Sequence, residues 1–144
     1  MIFHHLILRV ITKLLVGTIM LFALYVQFHG DFSPGGGFQA GVIMSVAFIL
    51  YGIVFSLESA KKVLPEWIVH KLTALGVLIY AGTGILAMIL GYDFLDYDAF
   101  SPLHPTHGQH WGLLIIEFGV GVTVTGVMVA IYYAFAGRPP CISD

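Results

Sequence analysis

Four runs of this 144-residue chain are long and apolar enough to decide its fold class by themselves: Leu6 to Phe28, Phe38 to Leu57, Trp67 to Gly91 and Trp111 to Ala136. A helix advances only ~1.5 Å per residue, so about twenty apolar residues are needed to cross a hydrocarbon core of roughly 30 Å. Hydrocarbon offers a backbone amide no hydrogen-bond partner, so a spanning run must be a helix or a strand of a closed barrel. A barrel strand alternates apolar with polar residues, and none of the four runs does. The sequence therefore predicts an all-α membrane protein, a single domain over 1–144 with four transmembrane helices and short connections. The first run continues through Phe28, too long for the core of a cleaved leader, and is read as a retained span.

Composition narrows the function. Only 10% of residues are charged, against roughly a quarter in a soluble domain, and 58% are hydrophobic. The net charge of −2, with six scattered Lys and Arg, leaves no basic stripe for nucleic acid. Cys141 stands alone, with no partner for an internal disulfide and no metal-ligand spacing. The stretch GGGFQA at 35–40 matches a loose dinucleotide fingerprint, but that loop means something only between a strand and a helix, and here both flanks are membrane spans. No nucleophile, base and acid can be ordered into a catalytic set, so neither an enzyme activity nor a cofactor is expected.

Every basic residue falls on one side of a four-span chain: Arg9 and Lys13, then Lys61, Lys62 and Lys71, then Arg138. The 29–37 and 92–110 connections have none. By the positive-inside rule both termini and the 58–66 connection are expected in the cytoplasm. The outer 92–110 connection bears Asp93, Asp96, Asp98, His104, His107 and His110, with Pro102 and Pro105 expected to keep it non-helical and its aromatic residues set to lie across the outer mouth of the helices. Its three histidines are too irregularly held to form a metal site, and none is expected.

Lipid tails are as apolar as leucine, so membrane helices associate where small residues let backbones approach. Rows of this kind are Gly37, Gly41, Ser45, Gly52 and Ser56 in the second span; Thr73, Gly76, Gly84, Ala87 and Gly91 in the third; and Gly112, Gly119, Thr123, Gly126, Ala130 and Ala134 in the fourth. Gly41, Ser45, Gly84, Gly119, Thr123 and Gly126 are the expected helix-packing positions. Whether the partner helix lies in this chain or in another subunit is left open by the pattern.

Glu117 is the one acid well inside a span, and an intramembrane acid costs a few kcal/mol on insertion scales. It is the candidate residue of an ion or proton path, with a purely structural or assembly role as the alternative. Helical phase puts it with Gly121, Val124 and Met128, roughly opposite the small-residue row. If that row packs within the subunit, Glu117 points outward, toward a partner or a hydrated cavity.

The segment HGDFSPGGGFQAG at 29–41 opens the second span. Ser33 is the expected N-cap and Pro34 the first helical residue, making Gly35, Gly36 and Gly37 a first turn with unshielded N–H groups. Its core is His29, Gly30, Pro34, Gly35, Gly36, Gly37 and Phe38, and near the end of the chain follows HGQHWGLLIIEFGVGVTVTGVMVAIYYAFAGR. Together these closely resemble the MnhB-like subunit of the Mrp-type, or Mnh-type, multisubunit sodium/proton antiporters. The resemblance covers nearly the whole chain. It implies a small multi-pass subunit in a bacterial or archaeal cell membrane, packed against other membrane subunits and the lipid bilayer in a complex that exchanges sodium ions for protons. It also makes Glu117 the counterpart of the family's acidic residue in the last span. Related domains occur in membrane-bound hydrogenases and other complex I-related ion-pumping complexes, and such a host, or a purely scaffolding role, is the alternative.

Overall fold

The computed structural model describes residues 2–30, 36–97 and 105–138, and the side chains of all of these except 2–5 and 105–107. The described residues form five helices: α1 (Ile2–Phe28), α2 (Gly37–Phe55), α3 (Leu57–Val63), α4 (Glu66–Ile89) and α5 (Pro105–Ala136). All but α3 are long and apolar enough to cross a membrane. The protein is thus all-helical, as its apolar runs require.

The long helices stand in the spatial order α1, α2, α5, α4. Helix α5 is central, with one side packed on α2 and the other on α4, while α1 leans on α2 and touches α5 only marginally. Several boundaries differ from the sequence expectation for identifiable reasons. Helix α5 starts at Pro105, six residues before Trp111, because proline at the first helical position lacks only an N–H that would be unpaired there anyway. Pro105 and Gly108 therefore do not interrupt the helix. Helix α4 stops at Ile89, and Gly91 belongs to its cap rather than to its packing row. Gly91 has φ +89, its N–H donates to the Met88 carbonyl and the Tyr92 N–H donates to the Ala87 carbonyl, a left-handed ending that suits glycine.

Helix α2 ends at Ser56, whose φ of 101 turns the chain sharply. The Ser56 hydroxyl accepts from the Ser59 N–H at 3.4 Å and so caps α3, a short helix in place of the expected plain connection. Beneath α3, Ala60, Leu64, Val69, Val129 and Tyr133 form a buried cluster. Tyr133 donates its hydroxyl to the Leu64 carbonyl at 2.8 Å, tying the end of α5 to the α3–α4 junction. Tyr133→Phe is expected to destabilise the chain by about 1–3 kcal/mol, because it orphans a buried acceptor. Unfolding of the chain by SDS in mixed micelles measures this.

The contacts gather the basic residues at one end. Arg9 and Lys13 meet Phe55 at the end of α2, Lys61 lies over Tyr133 near the end of α5, and Lys61 pairs with Glu66 at 2.6 Å. At the opposite end Phe94 lies against Gly84 of α4 and Tyr97 against Gly112 of α5, so the described part of the 92–110 connection folds back on these two helices.

Candidate functional site

At the end remote from the basic residues, α5 closely approaches the start of α2 and Gly30 and Gly36, the described glycines between α1 and α2. The reason is a set of missing β-carbons. One on Gly37 would overlap the main-chain carbonyl of Glu117, so the first turn of α2 rests on the α5 backbone. A β-carbon on Gly30, just past α1, would stand 2.9 and 3.2 Å from the two carboxylate oxygens of Glu117, and one on Gly36 would stand 3.2 Å from Oε1. Glycine is the residue that admits such close approach, and here it admits a carboxylate.

Glu117 therefore does not point away from the subunit. The small-residue row of α5 does pack on α4, as that expectation required: Gly119 lies against Gly76 and Ile79, Thr123 against Gly76, and Gly126 against Thr73. Helix α5 nevertheless has two protein-facing sides. Its second side, carrying Glu117, Gly121, Val124 and Thr125, lies on α2.

The start of α2 also differs from expectation. The first helical residue is Gly37 and the N-cap is Gly36, with φ 127 and ψ 175 and no side-chain cap. That conformation is open essentially to glycine alone. The N-cap is thus Gly36 rather than the expected Ser33, which lies outside the described residues, and Gly36 precedes the first turn that Gly37 opens. Pro34 and Gly35 lie outside the described residues, as do Asp31 and His104. The side chain of His107 does too.

One turn further into the membrane the same interface continues. A β-carbon on Gly41 would stand 2.6 Å from the Gly121 carbonyl and 2.8 Å from Val124 Cβ. Thr125 donates to the Gly121 carbonyl at 2.8 Å and approaches the Gly41 carbonyl at 3.2 Å, a hydrogen bond between helices inside the membrane. Ser45 is buried and turns its hydroxyl back to the Val42 carbonyl at 2.7 Å. Gly84, expected at a helix contact, faces the Phe94 ring instead, because the described part of the 92–110 connection folds over that part of α4. Phe38 is exposed, and His29 stacks on Tyr25 with centroids 4.6 Å apart.

Gln27 is a residue that the sequence patterns do not single out. It is 7% exposed, its Oε1 would stand 2.6 Å from a β-carbon on Gly121, and its buried Nε2 has no hydrogen-bond partner among the described residues. A lone amide inside an apolar run is the signal that could have found it. It borders a cavity of about 240 Å³ where α1, α2 and α5 meet, lined also by Ala23, Phe48, Phe118 and Thr125. Glu117, Gln27 and Thr125 thus mark one polar strip at the α1–α2–α5 junction. Among the described residues no three His, Cys, Asp or Glu side chains converge as metal ligands.

Residues 7–130 match the family model described as a domain related to the MnhB subunit of Na+/H+ antiporter. The chain belongs to the MnhB family. Among its MnhB relatives is a protein of Staphylococcus haemolyticus (strain JCSC1435) named "Putative antiporter subunit mnhB2", 37% identical over 134 residues that cover 91% of this chain and 94% of the relative. A protein of the same name from Staphylococcus aureus (strain Newman) is 35% identical over 133 residues, with the same coverage of both chains.

Proposed function

We propose that the chain is a small membrane subunit of a sodium/proton antiporter complex, a transport component rather than an enzyme, and that Glu117 is a station on the path of the transported proton or cation. The observation that carries this is an acid six residues, about 9 Å of helix, past Trp111, where the apolar run of α5 begins, seated at the meeting point of α1, α2 and α5. A carboxyl group there can take up and release a proton, or hold a cation, only if the surrounding backbone leaves it room, and Gly30 and Gly36 leave that room. The family membership and the names of the relatives support the host complex. Partners are then the other membrane subunits, and sodium ions and protons are the species exchanged.

The clustering of all basic residues at one end favours a cytoplasmic position for that end and both termini, in a bacterial or archaeal cell membrane. Glu117 then lies toward the outer side. A second reading, Glu117 as a packing element only, is favoured by the contact of its own backbone with Gly37.

Glu117→Gln separates the two, since it keeps the shape and removes the exchangeable charge. The expected result is a complex assembled at normal abundance that has lost most of its sodium-driven proton movement in everted vesicles, with Glu117→Asp intermediate. Full activity of the glutamine variant would remove Glu117 from the path.

A further inference from the structure

The basic end of α1 carries two cations that the antiporter reading does not use. Arg9 and Lys13 are one helical turn apart, both exposed, and both lie over the same ring, Phe55 at the end of α2, at 5.9 and 5.8 Å from its centroid. Phe55 is itself stacked on Tyr51 with centroids 4.6 Å apart, so the ring is held in place. Among the described residues Lys61 pairs with Glu66, and neither Arg9 nor Lys13 has a carboxylate partner.

Depth makes this pair costly. From Lys13 to Phe28, the outer end of α1, is about 22 Å of helix, well short of the roughly 30 Å of hydrocarbon. Helix α2, at 19 residues, spans about 28 Å, which sets Phe55 close to the membrane boundary. The Lys13 backbone therefore lies inside the hydrocarbon edge, and its ammonium snorkels to the level of Phe55. A cation at that depth without an anion is expensive, and two side by side repel each other.

We propose that Arg9, Lys13 and Phe55 form a seat for the phosphate of an anionic phospholipid. The phosphodiester sits at the boundary where the two cations end, its two unesterified oxygens can each accept from one cation, and the Phe55–Tyr51 stack gives the glycerol and upper acyl carbons an apolar wall. Helix α1 is at the edge of the helix row and packs chiefly on α2, which leaves this corner open to lipid.

The test uses the whole complex purified in mild detergent, titrated with phosphatidylglycerol or phosphatidylcholine and read by native mass spectrometry. The wild-type complex should retain phosphatidylglycerol in preference. Arg9→Gln with Lys13→Gln should weaken that retention about 30-fold, the scale of two interfacial cations, while Arg9→Lys with Lys13→Arg should preserve it. Millimolar inorganic phosphate should not displace the lipid. Equal retention by the wild type and the double glutamine variant, or complete displacement by inorganic phosphate, overturns the proposal. Should the glutamine variant not assemble, photoactivatable phosphatidylglycerol applied to the wild-type complex should label the segment holding Arg9 and Lys13 more than photoactivatable phosphatidylcholine does. Equal labelling, or a zero-length carbodiimide link from Lys13 to an acid of another subunit, overturns it as well.

Discussion

Gly37→Val is expected to abolish recovery of the complex through a tag on another subunit, with the variant chain itself reduced in the membrane. A β-carbon at position 37 overlaps the Glu117 main-chain carbonyl, and 2.6 Å away it meets the Glu117 carbonyl carbon. Backbone cannot swing aside as a side chain can, so α2 and α5 must separate along the half remote from the basic residues. Separation also undoes the next turn, where Gly41 touches Gly121 and where Thr125 bonds across the helices. Overpacking in an ordinary core costs about 1–3 kcal/mol, and a backbone-to-backbone collision belongs at or above the top of that range. Gly36→Val is expected to fall short of this, at roughly 1–3 kcal/mol for the backbone conformation alone, because its β-carbon would meet only side-chain atoms at 3.2 Å and beyond. SDS unfolding of the isolated chain should rank the three as wild type, Gly36→Val, Gly37→Val. The reverse order for the two variants would discredit the contact between α2 and the α5 backbone.

Gly76→Val is expected to release α4 while leaving α1, α2 and α5 together. A β-carbon on Gly76 collides with the Thr123 hydroxyl and comes within 2.5 Å of the Gly119 carbonyl and 2.7 Å of the Thr123 N–H, all on α5. Because α4 is at one edge of the row and, among the described residues, holds to the other long helices chiefly through α5, losing that contact frees most of its length. Cysteine placed at Val69, fully buried in the native chain, should then label with a membrane-permeant maleimide many times faster than it does when Gly76 is intact. Cysteine at Ala23, buried between α1 and its neighbours, should keep its slow rate. Equal acceleration at both sites would contradict the order α1, α2, α5, α4. Gly82→Val serves as the control, since nothing lies within 4 Å of the added carbon.

The apolar runs can be placed from the sequence because hydrocarbon leaves them one conformation, and the small residues at Gly76, Gly119, Thr123 and Gly126 can be marked as contacts because membrane helices need them to approach. The direction of Glu117 cannot be obtained the same way. Helical phase correctly sets it opposite the row that meets α4, but phase describes one helix and is silent on how many neighbours that helix has. Gly91 and Gly84 show the same limit, since spacing alone cannot tell a helix contact from a left-handed cap or from a loop aromatic folded back. Gln27 escapes notice because a single amide near the end of an apolar run is an ordinary feature until Gly121 is seen against it.

By itself, then, the sequence determined that the chain crosses a membrane on four helices, that its basic residues collect at one end, that one acid must be accommodated in the interior, and, through its glycine-rich motif, which family it resembles. These follow from the free energy of moving residues between water and hydrocarbon, which each segment meets alone. Only the tertiary structure decided that α5 is central, that Gly30 and Gly36 surround the Glu117 carboxylate while Gly37 rests on its backbone, and that Arg9 and Lys13 converge on Phe55. Those are pairings between segments, and every apolar surface satisfies lipid about as well as it satisfies another helix. What selects the partner is the fit of backbone to backbone, down to the presence or absence of one β-carbon.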